Sequence, residues 1–166
     1  MSYAQITLGG IPIGLESGPS EQSVERMGGS VLVRMSDGTA VKMTHWGKAA
    51  GSISGSGLLP AGLDGLDYSA PLELLLTKPR SLVQNTTSFE LDADCRPDRE
   101  PWAQALVDNR WRPTPCVRTM LDVEVTPVAG ASRYMVMWMP RYMVFASEPS
   151  TGMAAAHSWS LTWEQI

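Results

Sequence analysis

The sequence predicts a mainly β fold with one short helix, on three observations. Apolar and polar side chains alternate with a period of two over several segments, as a half-buried strand requires. An Asp-Gly pair sits between two such segments, where a tight hairpin turn needs positive φ angles. Only one segment carries helical spacing, from Pro101 to Asn109. There Pro101 suits a first turn, and Trp102, Ala105 and Leu106 share one face.

In chain order, residues 1–22 read as an extended, turn-rich N-terminal segment marked by Gly9-Gly10, Gly14 and Gly18-Pro19. Such a segment is expected to lie on a partner. Residues 23–166 read as a single β-rich domain, without internal repeats. Val31 to Met35, the turn Ser36-Asp37-Gly38-Thr39, and Val41 to Trp46 form a predicted hairpin. Further strands are expected over Pro71 to Leu76, Ser88 to Leu91, Thr119 to Thr126, Tyr134 to Met139 and Tyr142 to Ala146. A last one carries Trp159, Leu161 and Trp163 in alternation with Ser158, Ser160, Thr162 and Glu164. The count is at least six.

Between the hairpin and the third strand lies a long glycine- and serine-rich stretch, Gly47 to Tyr68, within an expected loop over 47–70. Ile53, Leu58, Leu59, Leu63, Leu66 and Tyr68 interrupt it at short intervals, and a purely flexible linker lacks such anchors. Loops this long are functional or disordered in compact domains. The six residues are therefore the candidate assembly interface, in an arm that docks on a neighbouring subunit. The alternative is an Ω-like loop folded over its own core.

Composition narrows the function. Charged residues are 18% and hydrophobic residues 43% of the chain, and a globular protein ordinarily has about 25% charged residues. A chain this short of charge is expected to cover part of its surface with partners. The net charge of −4 argues against neutralising phosphates, and the nearest basic run, Arg110 to Arg118, is broken by two prolines. The opening Met1-Ser2-Tyr3-Ala4-Gln5 lacks the basic start and apolar core of a signal peptide, and no apolar run approaches a membrane span. A cytosolic product is expected, with Cys95 and Cys116 as reduced thiols.

The residues supply no catalytic, cofactor or metal constellation. His45 and His157 have neither metal-ligand spacing nor an adjacent nucleophile motif. Ser54 and Ser56 sit among glycines, but the strand-turn-helix context of a hydrolase elbow is missing. Asp64 and Asp67, and Asp92, Asp94 and Asp98, lack the twelve-residue calcium pattern. Lys48 precedes the glycines instead of following them, unlike a phosphate loop. Met135, Met137, Met139 and Met143, clustered with Tyr134, Trp138 and Tyr142, suit a core or a subunit seam better than a cofactor box.

The stretch Gly55-Ser56-Gly57-Leu58-Leu59-Pro60-Ala61-Gly62-Leu63-Asp64-Gly65-Leu66-Asp67-Tyr68-Ser69-Ala70-Pro71-Leu72 resembles one found in tail proteins of contractile-tailed bacteriophages. Tyr134 to Pro140, Glu148-Pro149 and the ending Trp159 to Glu164 share the resemblance, which spans roughly residues 30–166. It implies a tail-tube-like β-barrel or split barrel and a homo-oligomeric, commonly hexameric ring. It also implies other tail and baseplate proteins as partners, a place in the virion tail after assembly in the host cytoplasm, and DNA at most passing through a lumen. The expected function is a non-enzymatic structural component forming a ring at the baseplate or tube end, towards which the glycine-rich start and the loop tilt the choice. The repeated tail-tube subunit is the alternative. From other classes come a small-ligand or carbohydrate-binding β module, which a solvent-facing row of Trp138, Trp159 and Trp163 would favour, and a cell-wall hydrolase, for which no acid pair or metal cluster speaks.

Overall fold

A computed structural model describes residues 3–166, and the fold is mainly β. Met1 and Ser2 of the expected N-terminal segment lie outside the described residues. Among those described, the strands are β1 (Thr7–Leu8), β2 (Ile11–Pro12), β3 (Glu21–Arg34), β4 (Ala40–Gly57), β5 (Leu72–Leu75), β6 (Arg80–Gln84), β7 (Ser88–Glu90), β8 (Trp102–Val107), β9 (Arg110–Thr114), β10 (Cys116–Thr119), β11 (Asp122–Val125), β12 (Arg133–Trp138), β13 (Arg141–Ala146), β14 (Ser150–Met153) and β15 (His157–Gln165). A 3-10 turn at Leu15–Ser17 is the one helical element. The sheets are antiparallel, and the expected barrel is not formed. β3 pairs with β4 alone and β9 with β8 alone, so the sheets end in open edges.

The chain packs as two compact units, Met1–Pro12 with Glu73–Tyr142, and Ile13–Leu72 with Met143–Ile166. Each unit is built from separated stretches, and no linker composition marks where the chain crosses between them.

In the first unit, β6, β12, β8 and β9 form one sheet and β10, β11 and β7 another. Inward-facing Phe89, Ala103, Ala105, Val123, Val125, Val136 and Trp138 belong to one buried cluster. The predicted helix at Pro101 to Asn109 is instead strand β8 with its turn. Ala103 and Ala105 are buried while Gln104 between them is only partly so, a period of two. Asp108 and Asn109 both take positive φ and join β8 to β9 through a two-residue loop, the geometry of a type I′ hairpin turn. Two short strands lie within the expected extended, turn-rich N-terminal segment. Gly9 and Gly10, at φ 57° and 83°, turn β1 into β2, and β1 pairs with β5 while Ile6 and Leu8 are buried.

Buried Arg96 anchors a loop of this unit. Its Nε and Nη2 donate to the two carboxylate oxygens of Asp98 at 2.7 and 3.1 Å, and its Nη1 donates to the Leu76 carbonyl at 3.1 Å. Hydrogen bonding from Arg96 holds the Asp98 carboxyl below the ordinary aspartate range.

In the second unit, β15 lies between β4 on one side and both β13 and β14 on the other, and β3 forms the edge beyond β4. Here the expected loop fails over Gly47 to Gly57, which is the second half of β4. Along it Gly51, Ile53 and Gly55 oppose Trp163, Leu161 and Trp159. A Cβ on Gly55 would stand 2.9 Å from the Trp159 ring, and one on Gly51 would stand 3.0 Å from that of Trp163. At Gly55 the missing side chain is the space that the Trp159 indole fills, whereas at Gly51 the Ser23 carbonyl of β3 would meet a Cβ before the Trp163 ring does. Trp159 also donates from Nε1 to the Ser17 carbonyl at 3.1 Å.

Candidate assembly surface

Beyond a register shift at Gly28/Ser30, β3 and β4 run on as a two-stranded ribbon to the turn at residues 35–39. The predicted hairpin is present, with one refinement. Gly38 alone takes a positive φ, of 86°, while the Met35 and Gly38 amides donate to the Thr39 and Met35 carbonyls. This is a three-residue loop with a glycine bulge. Asp37 accepts the Thr39 amide at 2.9 Å, and that bond holds its carboxyl below the ordinary range.

Directly opposed residues share a face of an antiparallel pair. Val31 opposes Met43 and Val33 opposes Val41, and Met35 follows on the same side. On the other side Leu32 opposes Lys42, Arg34 opposes Ala40, and Ser30 opposes Thr44. At the base the Trp46 indole lies over Gly29, where a Cβ would be 2.6 Å from Nε1. One side of the ribbon thus carries Val31, Val33, Met35, Val41 and Met43, with the alternation placing Thr39 and His45 at its two ends, and every residue from Ser30 to Lys48 is exposed. An isolated two-stranded hairpin is marginal in water, and an apolar strip on an open edge strand invites association.

The charge is unevenly spread. Arg26, Arg34, Lys42 and Lys48 are four of the thirteen basic residues, and Asp37 is one of the seventeen acidic ones. The segment 26–48 therefore carries +3 and the remainder of the chain −7.

The six residues expected from the sequence to form the interface do not come together as a docking arm. Ile53 is fully buried in β4, and Leu63 is buried too. Leu66 and Tyr68 are half-buried, and the Tyr68 hydroxyl donates to the Leu63 carbonyl at 2.6 Å. Burial, then the nearby carboxylates of Asp64 and Glu148, raise the pKa of that hydroxyl. The Leu59 amide donates to the Glu16 carbonyl and the Ser17 hydroxyl to that of Pro60. The segment after β4 is thereby folded onto its own unit, as the Ω-like alternative has it. Only Leu58 and Leu59, 81% and 55% exposed, stay available to a partner.

A surface that the sequence reading passed over lies on the first unit. Across β10, β11 and β7, Val117 opposes Glu124, which opposes Ser88, and Thr119 opposes Asp122, which opposes Glu90. These six side chains point outward, while Val123, Val125 and Phe89 point into the core. Met120, 84% exposed, and Leu121 form the β10–β11 turn beside them. The ion pairs among the described residues join Arg80 to Asp92, Arg96 to Asp98, Arg118 to Glu100 and Arg141 to Glu73. None of them includes Glu90, Asp122 or Glu124.

The remaining chemistry-bearing groups are scattered. His45 is exposed on the ribbon and His157 begins β15. Cys95 is buried and Cys116 half-buried, both as free thiols, and burial pushes both thiols up. Asp67 is bonded to the amide and hydroxyl of Ser69, which lower its pKa. No group of three or more His, Cys, Asp or Glu side chains among the described residues could hold a metal ion. No helix among them is long and apolar enough to cross a membrane. No protein-family model, curated protein or solved structure matches the chain.

Proposed function

We propose that this protein is a non-enzymatic structural subunit that works by assembling into a larger particle, a contractile bacteriophage tail, at its baseplate or tube end. The observation that carries the reading is the ribbon, an apolar strip on exposed edge strands that its own chain leaves uncovered. The tail assignment rests on the resemblance of residues 55–72 and of the two C-terminal strand regions. The docking element differs from the one expected: it is the 28–47 ribbon in place of the segment 47–68. The repeated tube subunit remains the alternative within this class. Deleting residues 31–43 and closing the strands with a short turn should leave a folded chain by circular dichroism and abolish its incorporation into particles seen by electron microscopy. Normal incorporation of the deleted chain would sink the reading.

One observation favours a ligand-binding module. An open cleft of roughly 700 Å³ on the second unit is lined by Ser54, Ser56, Ser150, Thr151, Ser158 and Ser160, with Glu21 at its side. Trp159 also lines the cleft, but it is 3% exposed and so offers no open ring face of the kind on which a sugar stacks, and Trp138 and Trp163 are buried as well. The cleft therefore carries the weaker case.

A further inference from the structure

The ribbon is basic on a chain that is otherwise acidic, and the outward face of the β7, β11 and β10 strands carries three carboxylates with no cation among its outward-facing residues. Asp122 and Glu90 stand directly opposite each other there, an arrangement that disfavours the sheet unless a cation lies near. Beside them Val117 and Met120 are strongly exposed and Leu121 partly so. The two surfaces are complementary in charge: the ribbon carries apolar side chains on one side with Arg34 and Lys42 on the other, and the sheet carries apolar side chains beside anions. Long Lys and Arg side chains reach round the margin of a narrow ribbon while its apolar face makes contact.

We propose that the ribbon of one copy seats on the outward face of the β7, β11 and β10 sheet of a second copy. Val31, Val33 and Met43 meet Val117, Met120 and Leu121, while Arg34 and Lys42 reach Glu90, Asp122 and Glu124. The proposal rests on the structural reading above and names its partner. Complementary charge favours a second copy over ribbon-to-ribbon pairing, because a two-fold contact between ribbons would set Arg34 and Lys42 against their own kind. The contact joins two different surfaces, so it is heterologous, and repetition closes into a ring or continues as a filament.

Sedimentation velocity of the full chain tests it. The wild-type chain should associate at low salt and dissociate as salt rises. Arg34→Glu with Lys42→Glu should weaken association at least about tenfold, as should Asp122→Lys with Glu124→Lys. All four substitutions in one chain should restore it, with circular dichroism showing each variant folded. Reversed chains that associate like the wild type, or a combined chain without recovery, would overturn the proposal. So would duplex DNA retained by the wild type and released by the ribbon reversal, which would assign the ribbon to nucleic acid. A wild-type chain that stays monomeric at every concentration but still enters particles through its ribbon would defeat the second-copy contact and leave the structural reading intact. Normal incorporation without the ribbon would defeat that reading itself.

Discussion

The two halves of β3 and β4 make an instructive pair, because the same two strands run through both. In the half nearer the body, β4 reads Gly51-Ser52-Ile53-Ser54-Gly55, almost without bulk, and it forms part of the core of its unit. In the outer half the strands carry Val31, Val33, Met35, Val41, Met43 and Trp46, and all are exposed. Hydrophobic content thus runs opposite to burial along one hairpin. A strand is buried by what covers it, and its own side chains are half of that account at most. For the inner half the cover is β15, whose Trp159 indole occupies the gap at Gly55. For the outer half the chain supplies no cover, which is the physical reason to look for it in a partner.

That contrast predicts opposite responses to substitution. The largest effects belong to the inner half. Trp163→Ala should cost about 3–5 kcal/mol, as for a large aromatic removed from a core, and Gly55→Val about 2–3 kcal/mol, because the added carbons meet the Trp159 ring. Urea unfolding measures both. Losses below about 1 kcal/mol would mean that the indoles are not what buries the inner half.

An intermediate effect separates stability in the other unit from the hairpin altogether. Asp98→Asn removes the countercharge of buried Arg96 and should cost about 1–3 kcal/mol near neutral pH, the half-exposed carboxylate keeping it at the low end of such changes. The sign with pH follows from the lowered pKa of Asp98. Its stabilisation is fully present above the unfolded value of about 4 and is lost as pH falls through the lower folded value. Urea midpoints across acidic pH should therefore fall more steeply for the wild type than for the variant. Parallel curves would remove Asp98 from the acid response.

The smallest effect on stability belongs to the outer half. Val33→Thr with Val41→Thr should change the unfolding free energy of the isolated chain by less than about 0.5 kcal/mol, while self-association measured by light scattering is lost. A substantial drop in stability would mean that the ribbon's apolar side is covered within its own chain, and the contrast between the halves would collapse.

The parts of this fold that were legible in the sequence are those whose pattern is complete within a few residues. The Asp37-Gly38 turn lies between its own two strands, and Tyr134 to Trp138, Tyr142 to Ala146 and Trp159 to Trp163 alternate without interruption. Gly47 to Gly57 misled because its bulk is supplied by Trp159 and Trp163, far along the chain. β8 misled because Ala103 and Ala105 are small where they face the core, and alanine is also the best helix former. The acidic face went unseen because Glu90 and Asp122 become neighbours only through the β7–β11 register. The burial of Ile53 and Leu63 within their own unit was hidden for a related reason. Leucines in a glycine-rich stretch look unanchored, but the Tyr68–Leu63 bond closes the segment on itself, and Leu59 and Pro60 tie it to Glu16 and Ser17.

The position of β15 between β4 and the pair β13 and β14 has a consequence for how the chain is made. During synthesis the inner half of β4 has β3 on one side from the start, but its other side waits for about a hundred residues before β15 appears. An ordinary strand of valines and isoleucines left open for that interval would pair with the same segment of a neighbouring nascent chain. Glycine and serine are poor strand formers on their own, so this segment stays inert until the tryptophans arrive. Hydrogen-exchange labelling of chains released before residue 157 should accordingly find the amides of residues 55–57, which pair with β15 and not with β3, unprotected, and protection should appear with β15. The composition that gives the segment the look of a linker then acts as a timer, making the sheet available only to chains complete enough to fold.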